Sequence, residues 1–173
     1  MKLRLFLISA LLPMISTASK AAPAQVGDPA PQISGVTENG TTLPFSEVYN
    51  SHKYTLVYFF PKAETPGCTK QGCSLRDANV QLTKLGVAIL GVSADTVKAQ
   101  KTFKEKFHFP FTLIADPDHT VSKAFGVPKI FMTNLDTRQA YLIEGGKIVW
   151  ADYAAATDKQ AEDVLRVIES RGK

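Results

Sequence analysis

Two cysteines lie five positions apart in this 173-residue chain, and they are its only thiols. A pair of thiols can form a disulfide, bind a metal ion or supply a nucleophile. Cys68 and Cys73 come after an apolar run, residues 54–60, whose β-branched and aromatic side chains are typical of a buried strand. Pro61 ends that strand because proline has no N–H to give to a sheet. The cysteines therefore follow the end of a buried strand.

Pro66 places Cys68 in the first turn of a predicted helix. A proline forces the residue before it into extended geometry, and its own φ suits the first helical position. Thr65 is then the N-cap, and Cys68 is the third helical residue. Unpaired N–H groups and the positive end of the helix dipole lie there, and both stabilise a thiolate relative to a thiol. The position predicts a reactive Cys68.

A thiolate alone is too little for an enzyme. Converting all of a free thiol to thiolate at pH 7 raises the reactive fraction only about 30-fold, whereas enzymes accelerate reactions by about a millionfold or more. The Thr65 hydroxyl, three residues before the sulfur, is one group that could activate a substrate. A cation is also required, and beyond residue 18 the chain has these arginines: Arg76, Arg138, Arg166 and Arg171. Only Arg138 leads a predicted strand.

The spacing Pro61-x-x-x-Thr65-x-x-Cys68 continues as Cys73-x-Leu75-Arg76-Asp77. This long motif resembles the peroxidatic site of the peroxiredoxins, specifically the bacterioferritin comigratory protein (peroxiredoxin Q) subfamily. The likeness extends along most of the chain, through residues 116–118 and 124–127 to Arg138. The resemblance implies a thioredoxin-like fold, thiol-dependent reduction of hydrogen peroxide and organic hydroperoxides, and no cofactor.

The resemblance also implies a role for each site residue. Cys68 is the peroxidatic cysteine, which attacks the O–O bond and becomes a sulfenic acid. Thr65, Arg138 and the Cys68 backbone N–H hold the peroxide and the charge that develops on its leaving oxygen. Pro61 packs over the site and shields the sulfur. Cys73 is the resolving cysteine, and a thioredoxin-like protein reduces the disulfide that results.

Two alternatives follow from the chemistry of the cysteines themselves. A static disulfide is common in exported proteins, but a bridge from Cys68 to Cys73 would close a very small loop inside a predicted helix and would stabilise the fold little. A metal site would need a further ligand from the histidines. These have no paired ligand spacing and are each expected to be solvated: His52, His108 and His119. We therefore expect no metal.

A further alternative is a thiol–disulfide exchange protein, or a copper-binding or redox-sensing protein, with a thioredoxin fold. Exchange proteins usually carry Cys-x-x-Cys after a tryptophan, and copper-delivering relatives usually show Cys-x-x-x-Cys. The spacing here is longer, and the single tryptophan is Trp150. Exchange proteins also have a cis-proline just before the strand that faces the cysteines, whereas Pro128 lies well upstream of Thr137 and Arg138. These differences favour a peroxidase.

The apolar pattern predicts one α/β domain over residues 25–173. An Asn39-Gly40 turn marks an N-terminal β-hairpin. The elements that follow are predicted as strand 54–60, helix 66–85, strand 87–92, helix 95–107, strand 111–115, helix 119–125, strands 138–144 and 147–153, and a closing helix. Thr157 and Gln160 form a predicted capping box at the start of that last helix. We expect a thioredoxin-like fold with a mixed central sheet and helices on both faces.

The N-terminus predicts export. Residues 1–24 contain Lys2 and Arg4, then a short apolar stretch and small residues, which is the outline of a secretory signal peptide. The apolar stretch is short for a membrane span, and an uncleaved N-terminal anchor is the alternative. The small residues allow cleavage at any of three positions, after Ala18, Ala21 or Ala24. We expect a periplasmic or secreted protein.

Signal removal leaves about 150 residues, enough for one domain with a real core. Cleavage after Ala18 removes Lys2 and Arg4, so the formal net charge of +4 falls by 2 to +2. The lysines are scattered and form no basic stripe, so no nucleic-acid partner is expected. The expected partners are a peroxide and a thioredoxin-like protein reductant. We expect a monomer with no stable membrane insertion after cleavage.

Overall fold

The computed structural model describes residues 22–172. The predicted signal peptide, residues 1–24, lies almost entirely outside the described residues and stays a prediction. Between residues 22 and 172, no helix combines the length and the apolar character needed to cross a bilayer.

Seven strands form one sheet in the described chain. They are β1 (Ser34–Thr37), β2 (Thr42–Pro44), β3 (Tyr54–Phe59), β4 (Val87–Ser93), β5 (Thr112–Ala115), β6 (Gln139–Glu144) and β7 (Lys147–Asp152). Their order across the sheet is β2-β1-β5-β4-β3-β6-β7. β3, β4 and β5 are parallel, and β1 and β6 pair with them antiparallel. The predicted mixed sheet is confirmed, and β1 and β2 form the N-terminal hairpin.

The helices cover both faces of this sheet. Those in residues 22–172 are α1 (Phe45–Ser51), α2 (Pro66–Asp77), α3 (Asn79–Lys84), α4 (Val97–Phe107), α5 (Thr120–Ala124) and α6 (Gln160–Arg171). α1 and α5 contribute Phe45 and Val121 to one apolar cluster. The other helices contribute to a second cluster through Leu75, Leu82, Phe103 and Val164. The thioredoxin-like arrangement is confirmed.

β3 leads directly to the cysteine segment. All six of its residues are buried because helices cover both faces of the sheet. Leu56 and Tyr58 belong to the cluster under α2, whereas Val57 and Phe59 belong to the opposite one, as the alternation of a strand requires. The cysteine helix therefore starts from the most deeply buried part of the sheet.

Two local predictions are corrected. The helix predicted over residues 66–85 is two helices, because Ala78 both ends α2 and begins α3 at φ −90° and ψ 0°. The capping box at the start of α6 is wrong. Lys159 is the N-cap, and no side chain caps the helix. Gln160 is fully buried and its amide oxygen accepts a hydrogen bond from Gln71, which draws the side chain away from the helix N-terminus.

Candidate active site

The segment between β3 and α2 is held by hydrogen bonds to β4 and to the loop after it. The Phe60 N–H donates to the Val92 carbonyl at 3.0 Å, and the Ala63 N–H donates to Asp95 Oδ2 at 2.7 Å. The same carboxylate oxygen accepts from the Ser93 hydroxyl at 2.7 Å. These contacts position the backbone that enters the cysteine helix.

Pro61 is half-buried and follows Phe60 at the carboxyl end of β3. The strand ends at Phe59, in agreement with the prediction that the proline stops sheet pairing. Its shielding of the sulfur stays a prediction.

Thr65 is the N-cap residue of α2, as predicted, with φ −73° and ψ 150°. Its hydroxyl does not cap the helix but donates to the Lys62 carbonyl at 3.0 Å. A hydroxyl oxygen that donates its proton in this way keeps its lone pairs available. Thr65 can therefore accept a hydrogen bond from a protonated oxygen at the start of α2.

Cys68 lies in the first turn of α2 and is only 2 % exposed. Arg138 Nη2 donates to its sulfur at 3.4 Å. The guanidinium and the first-turn N–H groups both stabilise negative charge on the sulfur. Gly67 makes room for this contact, because a Cβ there would lie 3.3 Å from Arg138 Nη2. The structure thus brings together a cysteine and an arginine that are 70 positions apart.

Arg138 is oriented by two buried amides. It directly precedes β6, whose first residue, Gln139, pairs with Phe59 of β3. Arg138 Nη1 donates to Gln71 Oε1, and Gln71 Nε2 donates to Gln160 Oε1. Both of these glutamines are fully buried. The amides therefore hold the guanidinium toward the sulfur.

Gln71 and Gln160 were not predicted as site residues from the sequence. A signal was present in α2, where Gln71 shares one helical face with Cys68 and Leu75 at spacings of three and four. A polar side chain on a core-facing stripe needs a hydrogen-bond partner. No local pattern identifies that partner, because Gln160 lies 89 positions away.

Tyr58 was missed as well. Its side chain is buried, and its hydroxyl has no hydrogen-bond partner among residues 22–172. Burial, followed by the charge of Cys68, raises the pKa of Tyr58 above its ordinary value. The phenol therefore stays neutral, and Tyr58 packs beside the site without adding a charge to it.

Cys73 has a different environment on the same helix. It is half-buried and packs against the apolar cluster under α2. The nearby cation is Arg76, which pairs with Asp77 at 2.8 Å and donates to the Phe107 carbonyl at 2.9 Å. Both cysteines are free thiols. Residues five apart on a helix have Cα atoms roughly 8.6 Å apart, beyond the ~7 Å limit for a disulfide, so α2 must unwind before the two sulfurs can join.

The histidines belong to other parts of the fold. His52 Nδ1 lies 3.2 Å from the Val48 carbonyl, and His108 ends α4. The expectation that every histidine is solvated is wrong for His119, which is buried because Asp136 pairs with it. In the described part of the chain, no group of three or more His, Cys, Asp or Glu side chains is arranged to hold a metal ion.

Comparison with known proteins gives a consistent set of relatives. Residues 26–151 match the AhpC/TSA family. Peroxiredoxin bcp of Coxiella burnetii is 45 % identical over 103 residues, which are 60 % of this chain and 67 % of the relative. Chloroplastic peroxiredoxin Q of Populus jackii is 32 % identical over 151 residues, 86 % of this chain and 70 % of the relative. The solved structure of Xanthomonas campestris bacterioferritin comigratory protein matches with a TM-score of 0.76 and 27 % identity, over 88 % of this chain and 100 % of that one.

Proposed function

The chain belongs to the AhpC/TSA family and is a thiol-dependent peroxidase, and we propose that Cys68 is its peroxidatic cysteine and Cys73 its resolving cysteine. The observation that carries this assignment is the Arg138 guanidinium, 3.4 Å from the Cys68 sulfur in the first turn of α2. Cys73 lies near Arg76, whose charge is shared with Asp77 at 2.8 Å. The exchange and copper-binding alternatives are not favoured by relatives named as peroxiredoxins.

In the first step the Cys68 thiolate attacks one peroxide oxygen. An S–O bond forms, the O–O bond breaks, and the leaving oxygen takes a proton to become water or an alcohol. Cysteine is oxidised to sulfenic acid as the peroxide is reduced. Arg138 and the Cys68 backbone N–H stabilise the charge on the leaving oxygen, and the Thr65 hydroxyl accepts a hydrogen bond from the bound peroxide.

In the second step the Cys73 thiolate attacks the oxidised Cys68 sulfur. The S–S bond forms and the hydroxyl leaves as water. Because both residues lie on one continuous helix, this step requires local unwinding of α2. Unwinding also breaks the contact between Arg138 and Gln71. A thioredoxin-like dithiol protein then supplies two electrons and restores both thiols.

The substrate range includes organic hydroperoxides. The solved Xanthomonas campestris relative is described by its alkyl peroxide reduction activity. In this chain the Arg138 guanidinium touches the reacting sulfur, which lies in the first turn of α2. A group beside the sulfur acts on the O–O unit of a peroxide and not on its substituent. We infer that hydrogen peroxide and alkyl hydroperoxides react at the same site.

Export is part of the proposal, with cleavage before the domain begins. The Ala24 N–H donates to the Phe125 carbonyl at 2.9 Å, and the Tyr153 hydroxyl donates to the Ala24 carbonyl at 3.0 Å. Cleavage after Ala24 would remove both contacts, so we propose cleavage after Ala18 or Ala21. Intact-mass measurement of the protein from the periplasmic fraction tests this, and a mature chain that starts at Gln25, or one that keeps Met1, would contradict it.

The mature protein is proposed to be a monomer. Outside one loop tip, the large exposed apolar side chains of residues 22–172 belong to different segments of the fold: Val26 before β1, Val36 in β1, Val80 in α3 and Tyr153 after β7. A specific protein interface buries about 800 Å² on each partner, far more than one tip offers. Light scattering coupled to size exclusion at micromolar concentration tests the oligomeric state, and a dimer mass would refute the proposal.

The peroxidase assignment is tested by stopped-flow mixing of the reduced protein with hydrogen peroxide and, separately, with cumene hydroperoxide. We expect oxidation far faster than that of free cysteine at the same pH, followed by steady NADPH consumption when thioredoxin and its reductase are added. Oxidation no faster than free cysteine would refute the peroxidase role. Fast oxidation without turnover would instead indicate a sensor.

A further inference from the structure

His119 and Asp136 form a buried hydrogen-bonded pair away from the cysteines. His119 Nδ1 lies 3.0 Å from Asp136 Oδ1, and the two side chains are 5 % and 0 % exposed. By contrast, each Lys or Arg salt bridge in the described chain has at least one partner that is a quarter exposed or more. Loss of one partner of the buried pair is destabilising, because the other buried polar side chain is left without its hydrogen bond. The pair is therefore a strong constraint on the two segments that it joins.

The histidine side of the pair is anchored to the sheet. Asp116 follows β5, and its carboxylate accepts hydrogen bonds from the Val121 and Ser122 N–H groups at the start of α5. The His119 N–H donates to the Asp116 carbonyl at 2.9 Å. His119 itself has a left-handed φ of 56°, which histidine adopts more readily than most residues. These backbone hydrogen bonds hold the imidazole at the start of α5.

Asp136 lies at the base of a loop, residues 127–137, that ends at Arg138. Lys129 and Asp136 form an antiparallel bridge, and the Thr137 N–H donates to the Pro128 carbonyl at 2.8 Å. These contacts tie the two arms of the loop to each other. The first arm is attached to α5 at Val127, whose N–H donates to the Ser122 carbonyl at 2.9 Å. On the second arm, which leads to Arg138, the hydrogen bond between Asp136 and His119 makes the attachment to α5.

The far end of the same loop has no such attachment. Phe131 and Met132 are 88 % and 89 % exposed. The backbone of Arg138 lies between two positioned segments. The residue after it, Gln139, pairs with Phe59 of β3, and the base of the loop comes before it.

Few polar groups surround the pair. Besides its two members, the groups that face it are Asp116 and Ser122. Asp136 Oδ2 and His119 Nε2 have no hydrogen-bond partner among residues 22–172. Burial raises the pKa of Asp136, and the neighbouring His119 opposes that shift. The imidazole is the hydrogen-bond partner of this buried carboxyl group.

We propose that His119 and Asp136 are positioning residues for the peroxidase reaction. Their pair anchors the loop base two residues before Arg138 and so fixes the guanidinium at its 3.4 Å contact with the Cys68 sulfur. Neither residue touches the peroxide. This inference rests on the role of Arg138 proposed above.

The test compares four reduced proteins by stopped flow: the wild type, Asp136→Asn, Arg138→Ala and the double variant. Each is measured with hydrogen peroxide at a pH high enough that more base no longer raises the rate, so that differences in thiolate fraction disappear. A displacement of a reacting group by about 1 Å can slow a reaction by up to ~100-fold. We expect Asp136→Asn to slow the wild type about tenfold or more, and to change the Arg138→Ala protein less than about twofold.

Three results would count against the proposal. A wild-type rate for Asp136→Asn overturns it, and so does an equal slowing in both backgrounds, since a general loss of structure acts with or without Arg138. A wild-type rate for Arg138→Ala refutes the role of Arg138 itself, which is a distinguishable failure of the proposed function. Phe131→Ser, at the exposed tip of the same loop, is the matched control and should react at the wild-type rate. If Asp136→Asn does not fold, His119→Gln takes its place, alone and combined with Arg138→Ala, and the same four rates are compared.

Discussion

The two ends of α2 carry the same reactive group in opposite surroundings. At its N-terminal end Cys68 is buried, lies in the first helical turn and accepts a hydrogen bond from Arg138. Five residues on, Cys73 is half-buried beside an arginine that is already paired with Asp77. The two residues are of the same type, so the difference in their reactivity comes from their positions on the helix and from the side chains that other elements place beside them.

Replacing each cysteine in turn gives the largest expected contrast. Cys68→Ser should abolish peroxide reduction, a loss of many powers of ten, because the attacking thiolate is gone. Cys73→Ser should react once, at a rate within about threefold of the wild type, and then accumulate sulfenic acid because no thiol resolves it. Mass spectrometry after trapping with dimedone measures the difference. Equal reactivity of the two single variants would remove the distinction between the ends of the helix.

The two arginines near the cysteines provide the next contrast. Arg138→Lys keeps the charge but loses the planar fork that contacts both the sulfur and Gln71, so peroxide attack should slow by roughly 10-fold to 100-fold. The deficit should persist at high pH, where the thiolate is fully formed. Arg76→Lys is the matched control and should stay within about twofold. Full recovery of the Arg138→Lys rate at high pH would show that the arginine acts only by stabilising the thiolate.

The substitution Gly72→Ala tests whether helix propensity or packing controls the stability of α2. Propensity alone predicts that Gly72→Ala strengthens α2 by about 1 kcal/mol and slows disulfide formation. The structure reverses this expectation, because a Cβ at 72 would lie 2.5 Å from Phe109 Cζ. Overpacking of this kind costs about 1 to 3 kcal/mol. We expect thermal unfolding of the reduced protein to shift down by a few degrees and disulfide formation to become faster. Slower disulfide formation at an unchanged melting temperature would contradict the packing argument.

Thr69→Ala probes the same unwinding step without that clash. Thr69 lies in α2 and is half-buried, and alanine favours a helix by roughly half a kcal/mol over threonine. Disulfide formation should slow by about twofold, while the first oxidation is unchanged. Amide hydrogen exchange across residues 69–76 should be faster in the oxidised wild type than in the reduced protein. Equal exchange in the two redox states would show that the cysteines join without unwinding.

Much of the site was predictable from local pattern. Pro61 and Pro66 place the end of a strand and the start of a helix, and Cys68 falls into the first turn by counting. Apolar runs predict the strands because their covered faces leave little choice of residue. The boundaries were less accurate. Ala78 divides a helix that the periodicity of Leu75 and Leu82 predicts as continuous, since spacing alone does not record a single turn residue between two helices.

The errors fall where a side chain is satisfied by a distant partner. Gln160 fits the pattern of a capping box, but its side chain accepts a hydrogen bond from the buried amide of Gln71 and does not cap the helix. His119 follows residues 116–118, which are typical of a surface turn, but its imidazole is buried because Asp136 gives it a hydrogen-bond partner.

The amino-acid sequence by itself determined the α/β order, the reactive turn at Cys68 and the motif that marks the family, because each depends on spacing within a few residues. Tertiary structure alone decided that Arg138 reaches the sulfur, that Gln71 and Gln160 hold it, and that a buried pair lies beneath its loop. The physical reason is that a buried polar group must find a partner, while the chain places no limit on how far along the sequence that partner lies.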